Sequence, residues 1–332
     1  MTDPTIIVRN LTKIYRVSER GPGLIASLKN LAKKHYREVE AVGAISFNVQ
    51  AGEMVGFIGP NGAGKTTTLK MLAGLLYPTS GDASVLSHTP WKRQPAYLSR
   101  ISMVLGNKSQ MLWDIPPLDT FHVLGEIYRV PPIEFRQTLD ELVDLLDMKD
   151  LLHKPVRGLS LGERMKCELV AGLLHRPRVM FLDEPTLGLD VSMQSRLRQF
   201  LKEYNQRRRV TVILTSHYMA DVVTLCPRVI LIHHGKLLYD GGLQGLADQL
   251  APFKLVKLTL RNPEPLSNAD LNLPLGTELL QRENGRLTLR VGRREAAEVT
   301  SFLLNSLSVA DLSVEDPPIE AVIDQIYQEG NL

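Results

Sequence analysis

Cysteine, long apolar runs and net charge are all scarce in this chain of 332 residues. Its two cysteines, Cys167 and Cys226, lie far apart without metal-site spacing, which indicates a reduced, cytosolic protein. No run of about 18 apolar residues occurs, so we expect no membrane span. No basic segment followed by an apolar one opens the chain, so we expect no signal peptide. The net charge of +3 is too small to indicate nucleic-acid binding by itself.

The composition is that of a large globular protein, with 44% hydrophobic and 23% charged residues. The length predicts two domains. Strand-like and helix-like patterns alternate through the first part of the chain, which predicts an α/β core of three layers. A composition change follows near Leu250, and beyond it alternating strand patterns at 253–260, 286–291 and 309–314 accompany helical patterns at 294–307 and 318–328. We therefore predict an α/β domain at 1–248 and a small α+β domain at 249–332.

The stretch at 59–66, Gly-Pro-Asn-Gly-Ala-Gly-Lys-Thr, fits the phosphate-binding pattern G-x-x-x-x-G-K-S/T at every fixed position. It follows an apolar, strand-like run at 54–58 and precedes a helix-like segment at 67–76. Its glycines allow close approach of the backbone to a phosphate, and the N–H groups with the helix N-terminus form an anion site. Lys65 is expected to reach the β- and γ-phosphates, and the Thr66 hydroxyl to bind Mg²⁺. The alternative is a glycine-rich turn that binds nothing. The predicted ATP-binding residues here are Gly59, Pro60, Asn61, Gly62, Ala63, Gly64, Lys65, Thr66 and Thr67.

An acidic pair, Asp183 and Glu184, ends the apolar strand-like run at 179–182. Ligands of α/β proteins gather beyond the carboxyl ends of the strands, so this pair is expected beside the phosphate loop. We expect Asp183 to hold Mg²⁺ and Glu184 to orient and deprotonate the attacking water. An exposed strand end before Pro185 is the alternative.

Two other regions are predicted to be helical. Leucines at helical spacing predict a helical subdomain at about 111–176. An insertion at about 18–38 contains a basic amphipathic pattern at 24–37, with Leu24 and Leu28 on one face and Lys29 and Lys33 among its cations. Such a helix can lie on an anionic membrane surface or a partner, or pack its apolar face on its own domain.

Five motifs together resemble those of an ATP-binding cassette (ABC) ATPase. They are the phosphate loop, the segment Leu-Ser-Leu-Gly-Glu at 159–163, the strand that ends at Asp183 and Glu184, Gly-Leu-Asp at 188–190, and His217 after a strand-like run. The resemblance covers residues from about 5 to 245. It implies a P-loop NTPase cassette with a RecA-like α/β core, an antiparallel β subdomain and a helical subdomain.

The resemblance also assigns roles to single residues. Tyr15 matches the aromatic side chain that stacks on adenine, although a tyrosine buried for packing alone is the alternative. Gln110 matches the glutamine that contacts Mg²⁺ and water, and His217 the histidine that contacts the γ-phosphate. Asp190 matches the dimer-contact loop. The signature that covers the ATP of an opposite subunit matches Ser160, Leu161, Gly162 and Glu163, of which Leu161 and Glu163 depart from the usual Leu-Ser-Gly-Gly-Gln.

Because the signature acts on a second chain, the resemblance implies two cassettes that close head to tail around two ATP molecules with Mg²⁺. The segment at 106–116 is similar to exporter-type cassettes that serve ABC-2 class permeases. This implies a peripheral subunit at the cytoplasmic face of the membrane, which drives efflux of drugs or of hydrophobic or cationic compounds through separate permeases. Alternatives are a soluble cassette ATPase acting on ribosomes or DNA, and a P-loop kinase. The chain has neither the second cassette nor the coiled coil usual in the former, and the signature argues against the latter, so we expect no nucleic-acid partner.

Overall fold

The structure, a computed structural model, describes residues 4–18, 36–106, 108–243, 245–246, 253–261, 273–274, 276–318 and 321–323. The chain divides into two compact units, Met1–Asp240 and Gly241–Leu332. In the described ranges, no helix is long and apolar enough to cross a membrane. The strands are β1 Ile6–Ser18, β2 Tyr36–Val49, β3 Met54–Ile58, β4 Ser80–Val85, β5 Ile101–Leu105, β6 Val179–Asp183, β7 Thr211–Thr215, β8 Arg228–His233, β9 Lys236–Gly242, β10 Phe253–Leu260, β11 Thr277–Glu283, β12 Arg286–Gly292 and β13 Val309–Glu315. The helices are α1 Lys65–Leu72, α2 Pro95–Leu98, α3 Pro117–Ile127, α4 Pro132–Leu145, α5 Leu161–Leu173, α6 Val191–Arg208, α7 Met219–Leu225 and α8 Ala296–Ser306.

A six-stranded sheet with the order β5-β6-β7-β3-β8-β9 organises the first unit. The pairs β5–β6, β6–β7, β7–β3 and β3–β8 are parallel. Strands β3, β6 and β7 are buried along their whole length, as is usual for a parallel sheet covered on both faces. Because β6, β7 and β3 are neighbours, the segments that follow them meet at one edge of the sheet.

A smaller antiparallel sheet with the order β2-β1-β4 packs on the central one. Their shared core includes Ile6 and Leu11 of β1, Phe47 of β2 and Phe57 of β3, all buried. The rings of Phe47 and Phe57 lie 5.7 Å apart between centroids. This packing brings the middle of β2 close to the loop that follows β3.

Helices α3, α4 and α5 follow one another between β5 and β6 in the chain and lie within the stretch predicted as a helical subdomain. Pro117 and Pro132 stand at the first positions of α3 and α4, where proline's missing N–H removes no helical hydrogen bond. Together with the two sheets, these helices confirm the predicted fold class of a P-loop cassette.

The second unit contains an antiparallel sheet with the order β11-β12-β10-β13 and the helix α8. Its core includes Val256 and Leu258 of β10, Leu289 of β12 and Leu303 of α8. The predicted α+β character is confirmed. Strand β11 has no counterpart in the sequence analysis, because its residues are mostly exposed and polar. Of the predicted helix at 318–328, residues 321–323 are helical and most of the others lie outside the described residues.

Two predicted elements differ from the structure at their ends. Residues 24–35 of the predicted amphipathic helix lie outside the described residues, but its last two, Tyr36 and Arg37, belong to β2. There they pair with Ser18 and Val17 of β1, so strand pairing decides their conformation. The helix predicted at 67–76 corresponds to α1, which begins two residues earlier, at Lys65, and ends four residues earlier, at Leu72.

Candidate functional site: a phosphate pocket at the edge of the parallel sheet

The loop between β3 and α1 requires glycine for a steric reason. Gly64 has a φ of 105°, and a Cβ there would lie 2.3 Å from the carbonyl oxygen of Ala41 on β2. Only glycine tolerates both this left-handed backbone and this close approach. At Gly62, by contrast, a Cβ would meet nothing within 4 Å. The loop therefore packs closely against β2 at Gly64, and it has open space around Gly62.

Lys65 is the first residue of α1 and is only 6% exposed. Its Nζ donates to the carbonyl oxygens of Gly59 at 2.6 Å and of Pro60 at 3.1 Å. Burial lowers the pKa of Lys65, whereas the nearby carboxylates of Glu184 and Asp183 act to raise it. The ammonium group thus closes the loop on itself and faces two acids across the pocket.

Thr66 and Asp183 join the loop to the end of β6. Thr66 Oγ1 donates to the two carboxylate oxygens of Asp183 at 3.0 and 2.9 Å, and Thr215 Oγ1 donates to Asp183 Oδ1 at 2.8 Å. Hydroxyl and carboxylate oxygens are the ligands that Mg²⁺ prefers, and Mg²⁺ usually takes one or two carboxylates together with substrate phosphates. The donor set at Thr66 and Asp183 therefore fits this ion.

Glu184 and His217 form a pair beside these residues. Glu184 Oε1 lies 3.1 Å from His217 Nε2, and the backbone N–H of His217 donates to Glu184 Oε2 at 3.2 Å. Glu184 has a φ of 57°, and its own N–H donates to the carbonyl and the hydroxyl of Thr215, each at 3.1 Å. Burial raises the pKa of Glu184, and His217 and Lys65 oppose this rise. A carboxyl group whose pKa is raised by burial is suited to accept a proton from water.

These groups line one pocket of about 330 Å³. Its wall includes most of the predicted phosphate loop together with the acidic pair and the histidine. Ala41 and Leu187 also line it, and neither is recognisable from the sequence because no motif marks them. The lining residues are Ala41, Asn61, Gly62, Ala63, Gly64, Lys65, Thr66, Thr67, Asp183, Glu184, Leu187 and His217.

The signature segment lies outside that pocket, at the start of α5. Ser160 caps this helix: its hydroxyl accepts from the N–H of Glu163 at 3.3 Å, and its own N–H donates to Glu163 Oε2 at 2.7 Å. These bonds from Ser160 lower the pKa of Glu163, which keeps it ionised. Leu161 is 42% exposed. The two residues that depart from the usual signature, Glu163 and Leu161, thus present a carboxylate and an apolar surface.

Asp190 caps α6, with its Oδ1 accepting from the N–H of Met193 at 2.9 Å. Met193 also packs on the signature, since a Cβ at Gly162 would lie 2.9 Å from its Cγ. The start of α6 and the signature segment are therefore in contact within this chain, and neither Asp190 nor Gly162 lines the pocket.

Tyr15 and Gln110 are two predicted residues that the structure does not bring to the pocket. Tyr15 lies half-buried on β1, with Lys13 Nζ 5.3 Å from its ring centroid. The N–H of Gln110 donates to both carboxylate oxygens of Glu168 at 3.1 Å. Gln110 follows β5, which β6 and β7 separate from β3. It lines a second cavity, of about 880 Å³.

Comparison with known proteins decides the family. The family model described as "ABC transporter" matches residues 42–187, and that described as "EvrA-like ABC transporter, C-terminal domain" matches residues 252–315. The chain is 33% identical over 208 residues to the ABC transporter ATP-binding protein NatA of Bacillus subtilis (strain 168), covering 63% of this chain and 84% of NatA. The chain belongs to the ABC transporter family. It is an ABC ATPase, and the resemblance carried by its motifs is confirmed.

Other relatives of this ABC ATPase extend along more of its length. It is 28% identical over 297 residues to the daunorubicin resistance ATP-binding protein DrrA3 of Streptomyces coeruleorubidus, covering 89% of this chain and 92% of DrrA3. The solved ATP-binding subunit of an ABC transporter is 22% identical with a TM-score of 0.60, over 74% of this chain and 92% of that one. A dimeric ATP-binding cassette bound to ADP and Pi is 21% identical with a TM-score of 0.60, over 71% of this chain and 98% of that one. The two structures support the fold.

Proposed function

We propose that this ABC ATPase hydrolyses ATP with Mg²⁺ at the pocket described above and uses the energy to drive export through separate ABC-2 type permeases. The observation that carries the proposal is the convergence of the phosphate loop, the Thr66–Asp183 pair and the Glu184–His217 pair at one edge of the sheet. The transported compounds we propose are drugs or other hydrophobic or cationic molecules, and the name of DrrA3, a daunorubicin resistance protein, supports this proposal.

In this proposal the loop binds the phosphates of ATP. Residues 61–67 line the pocket, and the positive end of α1 at this loop attracts an anion. Lys65 exchanges its bonds to Gly59 and Pro60 for bonds to phosphate oxygens. Thr66 and Asp183 hold Mg²⁺, which neutralises phosphate charge when bound. In this proposal Gln110 also contacts the Mg²⁺ site and Tyr15 stacks on adenine, although neither side chain lines the pocket of the free chain.

Glu184 is the proposed base. Its carboxylate accepts a proton from the attacking water, and burial supports this role by raising its pKa toward that of a useful acceptor. In the free chain His217 Nε2 lies 3.1 Å from Glu184 Oε1, and in this proposal it exchanges that contact for one with the γ-phosphate when ATP binds. Lys65 and the loop N–H groups stabilise the charge that develops on the transferred phosphoryl group.

The site needs a second chain for completion. Ser160, Leu161, Gly162 and Glu163 lie outside the pocket of their own chain, which supports a role at the ATP of a partner. Apolar side chains of the signature and of the segment around Asp190 are exposed: Leu161 at 42%, Leu187 at 42% and Val191 at 78%. We propose that these surfaces and Asp190 meet in a head-to-tail homodimer that ATP closes.

Permease subunits are the proposed membrane partner, and the second cavity supports this. It is lined by Gln110 and by apolar residues that include Leu75, Met103 and Ile127. Leu75 is 50% exposed and Ile127 66% exposed, so an apolar surface is available for a partner. The subunit would then be peripheral, at the cytoplasmic face of the membrane, and the segment at 24–37 would offer a further contact to permease or lipid.

The export proposal is tested by purifying the tagged ABC ATPase from detergent-solubilised membranes of cells that express it at native level. We expect a multi-span membrane protein in stoichiometric amount, and ATPase activity that rises when the complex is reconstituted in vesicles. A matched preparation of the Ile127→Glu variant should lose the membrane protein, because a charge then lies in the apolar cavity wall. Co-purification of ribosomal proteins or DNA in place of a membrane protein would contradict export.

A further inference from the structure

A buried carboxylate, Asp221, lies next to the pocket without lining it. It stands in the first turn of α7 and is 0% exposed. Its Oδ2 accepts from Thr186 Oγ1 at 2.5 Å and from Ser216 Oγ at 2.6 Å. Its Oδ1 accepts from Arg198 Nη1 at 2.7 Å. An ionised carboxylate is an acceptor only, so its charge and its two oxygens match three converging donors.

The three donors come from three different segments of the site. Thr186 follows Glu184 by two residues, and Ser216 directly precedes His217. Arg198 lies on α6, the helix that Asp190 caps. Asp221 therefore connects the segment that carries the proposed base, the segment that carries the histidine and the helix that begins at the proposed dimer contact.

We propose that Asp221 is a positioning residue for ATP hydrolysis, which holds Glu184 and His217 in one arrangement through Thr186 and Ser216. The proposal rests on the function proposed above for Glu184 and His217. Glu184 has a left-handed backbone (φ 57°), a conformation that a non-glycine residue keeps only when its surroundings hold it. Thr186, two residues after Glu184, is 1% exposed and bonds to Asp221, so this link restrains the chain directly after Glu184.

Arg198 makes the buried carboxylate tolerable. Its guanidinium group is the positive charge that contacts Asp221, and its side chain is 13% exposed. Loss of one member of a buried pair leaves the other charge uncompensated and destabilises the whole fold. Replacement of Asp221 would therefore mix a positioning effect with a stability effect, and the two hydroxyl donors are better targets.

The test uses Thr186→Val and Ser216→Ala, which each remove one link and leave the Arg198 pair intact. We expect kcat for ATP hydrolysis to fall roughly 10- to 100-fold, the cost of a small misplacement of catalytic groups. The Kd for an ATP analogue should stay within about twofold of wild type, because the contacts of Lys65 and Thr66 do not involve Asp221. Thr138→Val on α4 is the matched control, since Thr138 is also buried, at 2% exposed, and its hydroxyl accepts from Arg176 at 2.7 Å. It should keep full kcat.

A second arm repeats Thr186→Val in a Glu184→Gln background, with single-turnover hydrolysis of labelled ATP as the readout. If Asp221 acts through Glu184, the added substitution should lower the residual rate by less than twofold. An equal fold-loss on both backgrounds, or a kcat unchanged in Thr186→Val and Ser216→Ala while Glu184→Gln is impaired, would overturn the positioning role alone. Unchanged turnover in Glu184→Gln itself would contradict the proposed base, and the positioning role with it.

Discussion

Replacement of Lys65 should weaken ATP binding strongly while changing the free energy of unfolding little. We consider Lys65→Met, which removes the ammonium group and keeps a side chain of similar length. In the free chain the ammonium is buried, bonds to the carbonyls of Gly59 and Pro60, and faces Asp183 and Glu184. Its replacement leaves those two acids without a facing cation in the pocket where we propose that the phosphates of ATP bind.

The magnitude follows from these contacts. A hydrogen bond to a charged group contributes about 1.5–3 kcal/mol, so the loss of one net bond to phosphate should raise the Kd for ATP roughly 10- to 150-fold. The free energy of unfolding should change by only about 1 kcal/mol, because two carbonyls lose a donor but an ammonium group no longer has to be buried. We therefore expect weak binding by a chain that is folded normally.

Titration calorimetry with Mg²⁺ and a non-hydrolysable ATP analogue measures the first quantity, and urea unfolding measures the second. Lys70→Met is the matched control, since Lys70 lies on the last turn of the same helix and does not line the pocket. It should bind as wild type does. A Kd for Lys65→Met within twofold of the wild-type value would refute the assignment of this loop to the phosphates.

Two further predictions concern Glu184 and His175. Glu184→Gln should bind ATP, form a stable dimer with it and hydrolyse it at least about 100-fold more slowly, because the amide cannot accept a proton from water. Phosphate release measures the hydrolysis and light scattering measures the dimer. Turnover at the wild-type rate would rule out the base role. The His175 ring is stacked on Tyr128 at 3.9 Å, its Nε2 donates to the Ile101 carbonyl at 2.9 Å, and its buried Nδ1 has no partner among the described residues. Burial lowers the pKa of His175 below its usual 6.5, so its contribution to stability is present above pH 6.5 and is lost as the pH falls through the lowered pKa. Between pH 7.5 and pH 5, the free energy of unfolding measured in urea should accordingly fall less for His175→Gln than for wild type. An equal fall in both proteins would contradict this role of His175.

The phosphate loop shows how much a local pattern can establish. Close approach of a backbone to phosphate demands glycine at particular positions, and the Cβ that would lie 2.3 Å from the carbonyl of Ala41 makes the same demand at Gly64. The acidic pair at Asp183 and Glu184 could also be identified from the sequence, because two acids directly after a fully apolar strand indicate a ligand site at the end of that strand. These residues line one pocket, as the motifs indicated.

The motifs did not predict where Tyr15 and Gln110 lie relative to the pocket. Both match family positions, yet neither lines the pocket in the free chain. Strand β5 itself ends beside the pocket, since the Gly106 N–H donates to the carbonyl oxygen of Asp183 at 2.8 Å. Gln110 lies farther along the chain, where its N–H bonds to Glu168 of α5. A motif specifies a residue's identity and its neighbours in sequence, whereas its distance from a site depends on how the segments pack.

The sequence by itself determined the family, the fold class, the phosphate loop and the acidic pair, because each depends on short-range spacing that backbone chemistry dictates. Only the tertiary structure decided which side chains hold these groups in place. Asp221, Thr186, Ser216 and Arg198 come from distant positions, and their hydrogen bonds exist only once α6, α7 and the ends of β6 and β7 have packed together. No periodicity or spacing encodes such a cluster, since it is defined by contacts between segments and not by the order of residues within one.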